Sequence, residues 1–130
     1  MNDLTELWEK QKSFQKNFFN PENVTEEERV RLSKEYILSI HQELGEVLAT
    51  MPWKQHRGNQ KEYDKAHLQE ELIDCFKFLL NLCILHGLTP DSFTKLFFEK
   101  SKIVEKRYAD EMLDKPEQLT LQFPIDDENR

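Results

Sequence analysis

From Leu68 to Leu85 the chain carries its densest apolar stretch. Leu68, Leu72, Ile73 and Phe76 recur at helical spacing, and Phe78, Leu79, Leu80, Leu82, Cys83, Ile84 and Leu85 then leave hardly any side of a helix polar. A helix of that kind needs partners on every side, so the second half of this segment predicts a deeply buried element. Asp74 and Lys77 interrupt the stretch and keep it short of a membrane span, and the polar start MNDLTELWEKQK is no signal peptide. A soluble, cytoplasmic protein with no membrane partner is expected. Its single chain is short for enclosing such a helix, which predicts a homodimer or higher homo-oligomer.

The remaining periodic segments are helical too. With three glycines and five prolines in 130 residues, breakers are scarce and cluster where long segments meet. Leu4, Leu7, Trp8, Phe14 and Phe18 predict a first helix over about 3–19, ended by Asn20-Pro21 because the residue before proline is pushed out of the helical region. Thr25 and Glu28 form a capping-box signal for a second helix over about 26–51, whose core face is Tyr36, Ile37, Ile40, Leu44, Val47, Leu48 and Met51. Residues 52–65 lose the periodicity and read as a loop. The third helix runs from Asp64 or Lys65 to His86, with Gly87 as its C-cap signal. Thr89-Pro90 starts a fourth over about 90–113, expected to bury Phe93, Leu96, Phe97, Ile103 and Val104. The fold class expected is all-α, a four- to five-helix bundle over residues 1–114, followed by a tail over 115–130 that contains a β-like patch, LTLQF.

Charge and cysteine content exclude several functions. Eighteen Lys and Arg against twenty-five Asp and Glu leave a net charge of −7, which argues against a nucleic-acid partner held by its phosphate backbone. Two cysteines, Cys75 and Cys83, lie inside the apolar helix and match neither a disulfide framework nor a zinc motif, and neither looks like a nucleophile. No glycine-rich phosphate loop is present. A di-iron bundle site needs a carboxylate three residues before a histidine on two helices, and that pattern is missing as well. His41, His67 and His86 read as cap, surface or packing residues.

Chemistry is carried instead by carboxylates in pairs. Glu43 and Glu46 are three apart on the second helix, and Glu71 and Asp74 repeat the spacing on the third. If the two helices pack antiparallel, all four converge at the edge of the core, where mutual repulsion calls for cations. A hard oxygen donor set favours Mg2+, with Mn2+ as the alternative, over zinc. Two such ions suit phosphoanhydride hydrolysis by an activated water. The same spacings also arise on solvated acidic faces.

Lys100 and Arg107, seven apart on one face of the fourth helix, are candidates for phosphate contact or for ordinary solubility. Lys54 and Arg57 in the loop are candidates to close over a ligand. Trp53 offers either a flat surface against a base or a core anchor. Gln11, near the apolar stripe of the first helix, offers an amide for a base edge or a buried hydrogen bond.

Taken together, ELGE at 43–46, PWK at 52–54, EELIDCFKFLLNLCILHGLTPDSFTKLFFEK at 70–100 and KSKIVEKR at 100–107 resemble the all-α nucleoside triphosphate pyrophosphohydrolases, the MazG-like superfamily, and within it the dimeric dUTPase branch. The resemblance covers about residues 4–108. It implies a magnesium-dependent, usually dimeric enzyme that splits the α–β bond of a deoxynucleoside triphosphate, dUTP first, into monophosphate and pyrophosphate. By the same likeness Glu43, Glu46, Glu71 and Asp74 are metal ligands with a catalytic role, Lys100 and Arg107 contact phosphate, Gln11 lies near the base, and Trp53 with Lys54 form the tryptophan-lysine element. The chain departs from the pattern at Ser101 and Val104, where asparagines are expected, and at Lys77, where histidine is common. Val104 has no amide to offer a nucleotide, which bears on base selection rather than on metal chemistry. The alternative function is a helical oligomerisation or interaction module that keeps the fold without catalysis.

Overall fold

The structure, a computed structural model, describes residues 3–54, 56–58 and 62–114. Four helices follow in order: α1 (Leu4–Gln15), α2 (Glu26–Ala49), α3 (Lys65–Leu85) and α4 (Pro90–Asp114). Among the described residues there is no strand, and the fold is all-α. The tail with LTLQF lies outside the described residues.

Local chemistry accounts for the helix ends. Asp3 caps α1 by accepting from the Glu6 amide. The helix stops at Gln15, earlier than the proline signal suggests, and residues 16–18 continue as a turn. Thr25 caps α2 by accepting from the Glu28 amide at 3.1 Å, and its hydroxyl donates to the Glu28 carboxylate, so the return arm of the expected box lands on the hydroxyl rather than the backbone. Asp64 caps α3 through the His67 amide. At the other end of α3, Gly87 adopts φ +82°, Leu88 N–H donates to Cys83 and Gly87 N–H to Ile84. These two bonds are the Schellman pattern, and the left-handed residue is why glycine stands there.

The chain divides into two compact units, residues 1–90 with α1–α3 and residues 91–130 with the rest of α4. In the first unit α2 and α3 lie antiparallel in a single register. The Asp64 amide donates to Thr50 O at 3.0 Å at the loop end, the Tyr36 and Phe78 rings meet at 6.3 Å midway, and the Arg29 guanidinium donates to Leu85 O at the far end. Each pair is equally far from the loop along its two helices, as two straight helices of equal rise require. α1 crosses onto α3. The apolar core consists of Trp8, Leu32, Val47, Leu80, Ile84 and Leu85, with Gln11, Gln15, Thr50 and Asn81 buried among them.

Burial corrects part of the expected core. The end of α3 is enclosed as expected, but Phe14, Phe18, Ile37, Leu44, Leu72, Ile73 and Phe76 stay exposed, and α4 contains no buried residue. Leu96, Phe97, Ile103 and Val104 each remain about half accessible within this one chain. The helical period finds apolar faces correctly; it does not say whether the same chain covers them. Among the described residues no single helix is long and apolar enough to cross a membrane.

Candidate metal centre

The register of α2 against α3 decides which carboxylates meet. Glu43 lies seven residues before Thr50 and Glu71 seven after Asp64, so each stands about 10 Å along its helix from the Thr50–Asp64 bond. Glu46 is one turn from Glu43 on the same side. One carboxylate oxygen from each of Glu43, Glu46 and Glu71 comes within 4.8 Å of the other two. Asp74, the fourth expected ligand, is exposed one turn further along α3 and is not among these three.

Electrostatics within the cluster are uneven. Burial, the adjoining Glu71 carboxyl and the charge of Glu46 push the Glu43 carboxyl up to about 7. Burial also acts upward on Glu71, but hydrogen bonds from His67 and from the Glu43 and Glu46 carboxyls outweigh it and hold Glu71 below the ordinary glutamate value. His67 Nε2 lies 2.9 Å from Glu71 Oε1, one turn away on α3, and must carry the proton to face an ionised carboxylate. Of the two, Glu43 is the carboxyl that keeps its proton to higher pH. Buried Glu43 Oε2 and Glu71 Oε2 have no hydrogen-bond partner among the described residues. Leaving two such oxygens bare is costly, and a cation would satisfy both. Cys75 is no competing ligand, because burial and then the charges of Glu43, Asp74 and Glu71 raise its thiol pKa; burial does the same for Cys83. The donor set is carboxylate oxygen and fits a hard divalent ion.

A pH dependence follows for the metal-free protein. Folded Glu43 holds its proton up to about pH 7, whereas an unfolded glutamate releases it near 4.5. Between those values the folded state binds more protons, so this group's contribution to stability falls as pH rises through the window. Glu71 has the opposite sign, but its loss comes on acidification below the ordinary glutamate value. In the presence of a chelator the thermal midpoint is expected to be higher near pH 5 than near pH 8, with the difference reduced in Glu43→Gln. An equal difference in that variant would remove the carboxyl from the explanation.

The other expected site residues fall in three places. Gln11 is buried in α1 and lines a cleft of about 760 Å³ whose lining includes Leu7, Phe14, Ile73, Phe76, Lys77 and Leu80. Its volume is in the range of ligand pockets. Trp53 and Lys54 follow α2; the Lys54 ammonium sits 5.3 Å from the Trp53 ring centroid, and the half-exposed ring is not a core anchor. Arg57 is exposed in the same connection, and Lys100 and Arg107 are exposed on α4, in the second unit. Reading the chain by residue type missed His67, Gln15 and Asn81. A histidine four residues before a candidate ligand is the signal for the first; for the two amides, polar residues on an apolar face are the only one.

A family profile described as dUTPase matches residues 3–124, while no curated protein and no solved structure matches the chain significantly. That match spans all four helices, including the carboxylates that α2 and α3 bring together. The chain belongs to the dUTPase family, all-α hydrolases of the nucleoside triphosphate pyrophosphohydrolase type.

Proposed function

We propose that this protein is a magnesium-dependent pyrophosphohydrolase of deoxynucleoside triphosphates, with dUTP as its first substrate and dUMP and pyrophosphate as products. The observation that carries the proposal is the convergence of Glu43, Glu46 and Glu71 with two buried carboxylate oxygens left unpartnered. In this reading Glu43, Glu46, Glu71 and Asp74 hold the metal, with Asp74 joining from the next turn of α3. Bound Mg2+ would neutralise phosphate charge and acidify the attacking water. Glu43 would give up its proton where the ion binds, and Glu46 or Glu43 would orient the water. His67 keeps the Glu71 carboxylate turned toward the cluster. Trp53 and Lys54 flank the ligand, while Lys100 and Arg107 enter as phosphate-binding cations on the strength of the family pattern alone.

The test is a panel of deoxynucleoside triphosphates incubated with the protein and magnesium, with pyrophosphate and orthophosphate measured separately. Pyrophosphate release is expected, fastest from dUTP and abolished by a chelator. Orthophosphate as the product, or no hydrolysis of any triphosphate, would overturn the reading.

A second copy of the chain belongs to the same proposal. Among the described residues six apolar side chains are buried, whereas exposed large side chains run along α2 (Ile37, Leu44, Leu48), α3 (Leu72, Ile73, Phe76, Leu79) and α4 (Leu96, Phe97, Phe98, Ile103, Val104). Apolar area on that scale is unusual for a monomer and normal for a protomer.

A further inference from the structure

His67 touches the carboxylate cluster from outside the stretches that carry the family resemblance, which begin on this helix at residue 70. It stands in the first turn of α3, where its backbone amide donates to the Asp64 cap and its half-exposed ring reaches one turn on to Glu71. His67 Nε2 lies 2.9 Å from Glu71 Oε1. The Glu71 side chain is only 13% exposed, and its other oxygen, Oε2, is buried with no hydrogen-bond partner among the described residues. The two oxygens of one candidate ligand therefore differ: one is engaged by a ring N–H, the other is left open to a cation.

That difference bears on which cation the cluster accepts. Mg2+ demands a near-octahedral shell at about 2.0–2.1 Å and takes one oxygen from a carboxylate, whereas Ca2+ takes about six to eight oxygens at about 2.3–2.6 Å and readily uses both oxygens of a carboxylate. With three carboxylates within reach of one ion, the larger Ca2+ shell is filled from the protein only if some of them chelate. A ring N–H on Oε1 draws electron density from that oxygen, fixes the plane of the carboxylate and opposes its turning to present both oxygens at once. Loss of the hydrogen bond frees Glu71 to chelate.

We propose that His67 is a positioning residue that holds Glu71 in a one-oxygen binding mode and so selects a small, six-coordinate divalent ion, Mg2+ or Mn2+, over Ca2+. The proposal rests on the reading of the carboxylate cluster as a metal site, but not on turnover or on the nucleotide, and ion binding to the nucleotide-free protein separates the two. Mn2+ is titrated into the protein and its unbound fraction read by electron paramagnetic resonance; Mg2+ or Ca2+ is then added to displace it. Wild type, His67→Ala and His67→Gln are compared. His67→Gln keeps a side-chain N–H within reach of Glu71, and the Asp64 backbone amide to which a glutamine here could otherwise turn is already given to Thr50 O.

The ratio of the two dissociation constants, Ca2+ over Mg2+, is expected to fall by about tenfold in His67→Ala, through tighter Ca2+ and weaker Mg2+ binding. His67→Gln is expected to return the ratio to within about threefold of the wild type. Because the ring is half exposed and the capping bond uses the backbone amide, His67→Ala is expected to fold. A role in holding the helix end alone would weaken both ions alike and leave the ratio in place. A ratio unchanged in His67→Ala, a change that His67→Gln does not reverse, or a wild-type protein that binds none of the three ions overturns the proposal; the first two leave the hydrolase reading standing, and the third takes the metal site with it. A His67-dependent ratio in a protein that hydrolyses no triphosphate supports the proposal and defeats only the hydrolase reading.

Discussion

Glu71→Gln is expected to lower kcat/KM for the preferred triphosphate by at least about 100-fold at saturating magnesium, because it removes a charged oxygen from the set of three that would hold the cation in the proposed site. The substitution is nearly isosteric, and the glutamine carbonyl can still accept from His67, so the geometry of α3 is preserved. Without metal the variant is expected to be at least as stable as the wild type, since it deletes one of three crowded carboxylates and the raised proton affinity of Glu43 relaxes toward the ordinary value. Loss of activity with retained or increased thermal midpoint is the signature of a ligand rather than a structural residue. Asp74→Asn belongs in the same series and is expected to give a comparable loss with the fold intact. If Glu71→Gln keeps more than about a tenth of wild-type activity, the cluster is a repelled acidic surface and not the catalytic metal site.

Unfolding by urea is expected to depend on protein concentration, with a higher midpoint at higher concentration. Six buried apolar side chains among the described residues support the first unit, and the large side chains left exposed on α2, α3 and α4 are the kind of surface that a second copy would bury. When folding and association are linked, each tenfold rise in concentration stabilises the dimer by about 1.4 kcal/mol. For a protein of this size that corresponds to a midpoint shift of roughly 0.5 M urea. Sedimentation at micromolar concentration should give twice the chain mass of 15.7 kDa. A concentration-independent midpoint and a mass of one chain would refute the dimer, and the alternative interaction-module reading would then need a different partner for the same faces.

The helical architecture is legible in the chain because its causes are local. Capping residues, the proline at the start of α4 and the left-handed glycine after α3 act within one or two turns, and the apolar period is a property of each helix alone. Spacing alone also picks out Glu43, Glu46, Glu71 and Asp74 as candidates. What spacing cannot supply is the pairing between helices. The Asp64–Thr50 hydrogen bond sets the register of α3 against α2, and that register makes Glu71, rather than Asp74, the neighbour of Glu43 and Glu46.

Gln15 and Asn81 show the same limit from the other side. In the chain they are ordinary polar residues sixty-six positions apart. Only the crossing of α1 over α3 buries them together, with the Gln15 amide donating to the Asn81 backbone carbonyl. Phe97 and Val104 mark where a period ends as a guide to burial: their helix is where the chain predicts it, yet they remain exposed. The sequence by itself thus determined four helices, their ends and the family to which the chain belongs, since those depend on short-range sterics and on residue order. The tertiary structure alone decided which carboxylates meet, which amides pair and which apolar faces stay open, because these depend on distances between segments far apart in the chain.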